Sequence, residues 1–105
     1  MLPSIARDDP AFKDQNYWRG RIWGPMNYLV YLGLRNDDNA AVWRQMAQKF
    51  LELVQQEWRE KGHLHEHYNA ITGEGDDMTN CRAFYHWGAM LGLVEWMEQR
   101  RWELP

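Results

Sequence analysis

Apolar residues along this chain fall into three blocks separated by polar turns, and each block is distributed differently round a helix. From Gly24-Pro25 the first block runs through Met26, Leu29, Val30, Leu32 and Leu34, apolar almost all round. Proline at a first helical position costs nothing, because its missing N–H would have no partner there. A helix is therefore predicted from Gly24-Pro25 to near Arg35-Asn36, and its apolar surface calls for burial on more than one side. The second block, predicted as a helix over 38–61, is amphipathic. Val42, Trp43, Met46, Ala47, Phe50, Leu53, Val54 and Trp58 recur at helical spacing, and Arg44, Gln45, Gln48, Glu52, Gln55 and Glu60 fill the other side. Asp37 or Asp38 can cap this helix, and Lys61-Gly62 supply a basic last turn and a stop. The third block predicts a helix over 82–100, whose first half, Ala83 to Leu91, is again apolar almost all round.

The connections carry information too. Residues 1–16 hold Pro3 and Asp8-Asp9-Pro10 with few periodic apolar positions, so they read as an extended arm. The loop over 62–80 is long enough to imply a function beyond connection. No strand-period run or internal repeat of convincing length is present. The reading is a single all-α domain over 1–105 with three main helices. Apolar inner helices alternating with an amphipathic outer one fit a double ring of helices, and they fit a three-helix bundle as well.

Composition narrows the partners. The chain has 12 basic and 15 acidic residues, net charge −3, with the signs interspersed. A nucleic-acid partner, which favours a basic face, is not expected. One cysteine, Cys81, precludes an internal disulfide framework and points to a reducing, cytoplasmic compartment. Residues 1–16 lack the order of a signal peptide. The longest apolar stretch, Met26–Leu34, is about half of what a bilayer requires, so no membrane is expected. Seven tryptophans, Trp18, Trp23, Trp43, Trp58, Trp87, Trp96 and Trp102, are many for so short a chain. Small domains bury a low fraction of their surface, so some of these rings should line a groove or a contact.

Two runs carry the candidate chemistry. Tyr17 to Tyr28 sets Trp18, Trp23, two arginines and the Asn27 amide around the turn that opens the first helix. Glu66 to Gly75 puts a carboxylate, a phenol and an amide at the mouth of a glycine-rich loop. Flat rings bind the apolar faces of sugars while arginine, amides and carboxylates hydrogen-bond hydroxyls, so the pair reads as a carbohydrate site. Cation–π packing of the Trp-Arg pairs is the plain alternative. His63, His65 and His67 alternate and could converge on a metal in an extended loop, but no second cluster completes a tetrahedral set. Solvated loop histidines are the preferred reading, and neither metal nor cofactor is assigned. His86 reads as a hydrogen-bonded core residue. Cys81 has no base beside it in sequence and is not expected to be a nucleophile.

The runs Tyr17–Leu34, Glu66–Gly75 and Phe84–Leu91 resemble, in order and spacing, the C-terminal part of glycoside hydrolase family 63. That family includes processing α-glucosidases and bacterial hydrolases of mannosylglycerate, and it is similar to the trehalases. The resemblance covers residues 17–97. It implies a segment of an (α/α)6 toroid and inverting hydrolysis, in which an Asp protonates the leaving oxygen and a Glu activates water from the other side. It also implies Glu66 as the general base. Trp18, Arg19, Gly20, Trp23 and Asn27 match the family's sugar-contacting turn, and Tyr68, Asn69 and Trp87 match positions near the same pocket.

A complete ring needs many more helices than three, and the family's acid lies upstream of the first motif. No Asp here matches that role. The expectation is therefore a fragment or truncated homologue of an α-glycosidase, acting on an α-linked sugar and completed by a missing N-terminal part of the barrel or by further copies. Two rivals stand beside it: a non-catalytic sugar-binding module, and an oligomerising helical protein whose copies cover each other's apolar helices.

Overall fold

A computed structural model describes residues 1–36, 38, 40–79, 81–83 and 85–100, without the side chains of Tyr85 and Arg100. Asp37 as a cap, Trp102 and Phe84 of the third motif lie outside the described residues.

Three helices carry the structure: α1 (Gly24–Arg35), α2 (Ala40–Lys61) and α3 (Tyr85–Arg100). The first starts at Gly24 with Pro25 in its first turn, as the sequence predicts. Ahead of α2, the Ala40 N–H donates to the Asp38 carbonyl at 3.0 Å. Among the described residues the regular structure is helical except for one antiparallel pair of two-residue strands, β1 (Ile22–Trp23) and β2 (His67–Tyr68), with Ile22 opposite Tyr68 and Trp23 opposite His67. Two residues are too few to show an alternating pattern in sequence. The N-terminal arm bridges to this pair, Pro3 opposite Ile22, then coils into a 3₁₀ helix over Pro10–Asp14. Asp9 caps that turn by accepting from the Ala11 N–H at 2.8 Å, and Phe12 is buried beneath it. The arm is thus extended only in its first part.

Helix α3 packs against both α1 and α2 and forms the centre of the core. Leu91, Val94 and Met97 of α3 meet Tyr31 of α1, Met46, Ala47, Phe50 and Leu53 of α2, and Ile22 and Tyr68 of the strand pair. Each large apolar side chain so buried contributes about 1.5–3 kcal/mol. The Tyr31 hydroxyl donates to Glu98. Burial and then that carboxylate push its pKa well above the ordinary tyrosine value.

Burial on several sides, expected of the two apolar helices, is met in part: beside its buried stripe, α1 packs Tyr28, Val30, Leu32 and Leu34 partly buried against the core. In α1 the buried residues are Gly24, Asn27 and Tyr31, while Met26 and Leu29 are 50% and 61% exposed. On α3, Trp87, Leu93 and Trp96 are also exposed. Each helix buries one stripe fully, its flanks are partly buried, and Met26, Leu29 and Leu93 are left exposed. No helix among the described residues is long and apolar enough to cross a membrane.

Candidate active site

The strand pair brings the sequence motifs together. Trp23 sits opposite His67, so the turn that opens α1 lies against the residue that follows Glu66. On the other side, the Glu66 N–H donates to the Arg82 carbonyl at 3.2 Å, and His65 bridges to Ala83. The start of α3 closes the junction by backbone contact. A Cβ on Gly24 would lie 2.4 Å from the Trp87 carbonyl oxygen, and one on Gly88 would lie 2.8 Å from that of His65. Only glycine admits such approaches, which ties Gly24 and Gly88 to the meeting of all three runs.

Around this junction the aromatic rings form a stack. Trp18 lies on Trp23 with centroids 3.9 Å apart and planes 9° from parallel. Tyr17 meets both edge-on, and Trp87 meets Trp23 edge-on at 5.8 Å. Trp23 is buried, and its indole N–H donates to the Tyr17 carbonyl at 3.1 Å. Trp18 and Trp87 are 44% and 37% exposed beside the buried ring. The cation–π contacts lie elsewhere, with Arg35 and Arg44 over Trp43.

Glu66 is half-buried, and among the described residues its carboxylate has no hydrogen-bond or ion-pair partner. The other residues matched by motif are spent on the fold. Asn27 is buried, receives the Leu2 N–H at 2.7 Å and donates to the Leu2 and Trp23 carbonyls. Tyr68 is fully buried, its hydroxyl accepts the His65 N–H at 2.9 Å, and burial raises its pKa. Asn69 Oδ1 accepts from the Ile71 and Thr72 N–H groups while its amide donates to Asp77. Arg19 is exposed and paired with Asp14 at 2.6 Å, and Gly20 turns the chain at φ 106°. An open hollow of about 500 Å³, lined among others by Asn16, Asn69, Thr72 and Asp77, lies beside Asn69. A smaller one, about 160 Å³, lies against Trp18 and Asn27.

Arg21, noted in the sequence only as part of its run, fastens the glycine-rich loop. It is fully buried, and its five N–H groups find five acceptors. Nε donates to His67 Nδ1 at 2.6 Å, Nη1 to the Gln15 carbonyl and Asp77, and Nη2 to the Glu74 carbonyl and Asp77 at 2.7 Å. Desolvation alone would raise the Asp77 pKa, but the Arg21 and Asn69 hydrogen bonds outweigh it and hold the carboxyl below its ordinary value.

The solvated reading of the loop histidines is wrong for two of them. His65 and His67 are buried, His67 against Arg21 and Trp23 and His65 between two carboxylates. His65 Nδ1 lies 2.6 Å from Glu57 and Nε2 lies 2.5 Å from Asp76, with His63 Nε2 3.2 Å away. Glu57 is buried on α2, and desolvation raises its pKa despite the imidazole. Lys61 salt-bridges Asp76 at 2.7 Å, the first cause of that carboxyl's lowered pKa. His86, expected in the core, is exposed, because the inward stripe of α3 is 88, 91, 94 and 97. The Cys81 thiol is buried, donates to the His67 carbonyl at 2.7 Å and is raised in pKa by burial, as suits an unreactive group.

Residues 1–88 match a family described as the mannosylglycerate hydrolase MGH1-like glycoside hydrolase domain. The chain is similar to a mannosyl-oligosaccharide glucosidase of Saccharomyces cerevisiae, 31% identical over 104 residues that cover 86% of this chain and 12% of that protein. It is similar to the mannosylglycerate hydrolase of Thermus thermophilus, 30% identical over 93 residues covering 89% of this chain and 20% of that protein. Alpha-glucosidase 2 of Arabidopsis thaliana is 26% identical over 108 residues, 89% of this chain and 13% of that protein. The chain thus spans a fifth or less of the length of these relatives. No solved structure matches it.

Proposed function

The chain belongs to the mannosylglycerate hydrolase MGH1-like glycoside hydrolase family, and from that premise we propose that it carries the general-base part of an inverting α-glycosidase site. The observation that carries this reading is the convergence at one junction of three runs distant in sequence. Glu66, half-exposed and without a partner among the described residues, stands one residue from the strand position that faces Trp23, with Trp87 against the same ring. In this role Glu66 deprotonates the water that attacks the anomeric carbon, and the exposed rings of Trp18 and Trp87 hold the sugar.

The general acid comes from sequence beyond these residues. An acid must hold its proton near neutral pH, which needs a raised pKa. Asp76 and Asp77 are both lowered, by Lys61 and by Arg21, and so are fitted to stay ionised. The exposed apolar residues Met26, Leu29 and Leu93 are what adjoining helices of an (α/α)6 ring would cover, whether from a longer chain or from further copies. An α-linked glycoside is the substrate class, since the Thermus relative is named a hydrolase of mannosylglycerate and the yeast relative a glucosidase of mannosyl-oligosaccharides.

The test is a chimaera in which this chain replaces the matching segment of the Thermus mannosylglycerate hydrolase. Hydrolysis of mannosylglycerate should fall about 10²-fold or more in Glu66→Gln, the usual contribution of a general base. Unchanged hydrolysis in that variant would remove Glu66 from the mechanism. A chimaera that binds mannosylglycerate, read by tryptophan fluorescence, without ever hydrolysing it would favour a non-catalytic sugar-binding module instead.

A further inference from the structure

We propose that His63, His65 and Asp76 form a binding site for one zinc ion, with Glu57 as the buried carboxylate that orients His65. His63 Nε2, His65 Nε2 and a carboxylate oxygen of Asp76 lie within 4.8 Å of one another. The individual separations from His65 Nε2 are 3.2 Å to His63 and 2.5 Å to Asp76. Zinc ligands at about 2.0–2.1 Å in a tetrahedron sit about 3.3 Å apart, so an ion is admitted by a small outward turn of the exposed Asp76 side chain.

Protons can serve the two carboxylates, with Lys61 on Asp76 as well, but they leave the contact between the two imidazoles unserved. His65 Nδ1 faces Glu57, so only one N–H on Nε2 remains, and it cannot be given to both the Asp76 oxygen and the His63 nitrogen. A cation answers all of these lone pairs at once. The Glu57 contact is the arrangement that ligating histidines adopt, in which the ring's second N–H is held by a carboxylate that fixes its tautomer. Glu57 has no other evident reason to be 2% exposed on a core stripe. Lys61 holds Asp76 through Oδ2 and leaves Oδ1 for the metal, favouring one-oxygen ligation.

The donor set selects the ion. Two imidazoles and one carboxylate suit zinc, whereas magnesium and calcium prefer all-oxygen shells. His67, though in phase with His63 and His65, is taken up by Arg21 and is not a ligand. Partial exposure of His63 and Asp76 leaves water access to a fourth position. Bound there, zinc would clip the two arms of the loop that carries Glu66 to each other, His63 and His65 to Asp76, independently of any hydrolytic role.

The experiment is calorimetric titration of zinc chloride into the tag-free chain after chelator treatment and dialysis. The expected result is one saturable site, with magnesium chloride giving no heat of binding. Glu57→Gln should weaken zinc by about 10–100-fold, the usual cost of losing such a partner. His63→Ala and Asp76→Asn, which alter exposed ligands and leave the core intact, should weaken it further. No saturable zinc uptake, or equal uptake in His63→Ala and Asp76→Asn, would overturn the site.

Discussion

Two polar clusters hold the loop between α2 and α3, and they differ in how their hydrogen-bonding groups balance. Around Arg21, five N–H donors meet five acceptors, drawn from Gln15, His67, Glu74 and twice from Asp77. Around His65, two ring nitrogens face two carboxylates and a second imidazole. The first cluster is complete, and the protein alone accounts for it. In the second, His65 can serve both carboxylates and Lys61 serves Asp76 as well, so the contact between the His63 and His65 nitrogens is what lacks a proton of its own, and there the proposed zinc would sit. The difference teaches that burial of charge is no guide to function by itself, and that the count of donors against acceptors is.

The comparison breaks most visibly at Arg21. Arg21→Met should cost about 3 kcal/mol or more, because Asp77 and His67 lose their buried partner. That is a large share of the stability of a small domain, and urea denaturation would read it. The same substitution should leave zinc uptake by the folded fraction intact, since Arg21 touches none of the proposed ligands. A smaller effect is expected at the junction both clusters support. Gly24→Ala places a Cβ 2.4 Å from the Trp87 carbonyl and should cost about 1–3 kcal/mol as α3 is forced off α1. Near-UV circular dichroism would report it through loss of the tryptophan stack. The adjacent aspartates give the finest contrast. Asp77→Asn should lower the urea midpoint clearly, whereas Asp76→Asn in chelator should move it by less than about 0.5 M, because its pair with Lys61 is exposed. If the two aspartates prove equivalent without metal, the distinction between the clusters fails.

Much of this architecture was legible in the chain. Gly24-Pro25 marks the start of α1, and the spacing of Met46, Phe50 and Leu53 gives the buried face of α2. The resemblance placed three distant runs at one site, and the strand pair and the Gly24 and Gly88 approaches bring them there. What stayed hidden were polar residues doing core duties. Glu57 follows Leu53 by four positions and Phe50 by seven, so it falls on the buried stripe, and a glutamate at that phase is the signal that could have been found. Trp58, which the apolar pattern preferred, points outward at 57% exposure. Asn27 and Tyr68 resemble ligand-binding groups by type, but each spends its polar atoms on neighbouring backbone, a choice that only tertiary contact decides. The alternation of His63, His65 and His67 hinted at convergence, but Arg21, remote in sequence, settles which two of the three converge.

Cys81 gives the loop a clock. It is the one cysteine of the chain, and its thiol is shut beneath the loop against the His67 carbonyl. A disulfide reagent can reach it only when this region opens, so in the regime of slow reagent attack the modification rate measures the equilibrium between closed and open forms. The open fraction of the region that carries Glu66 thereby becomes readable by a colour change, without a label added or a residue replaced.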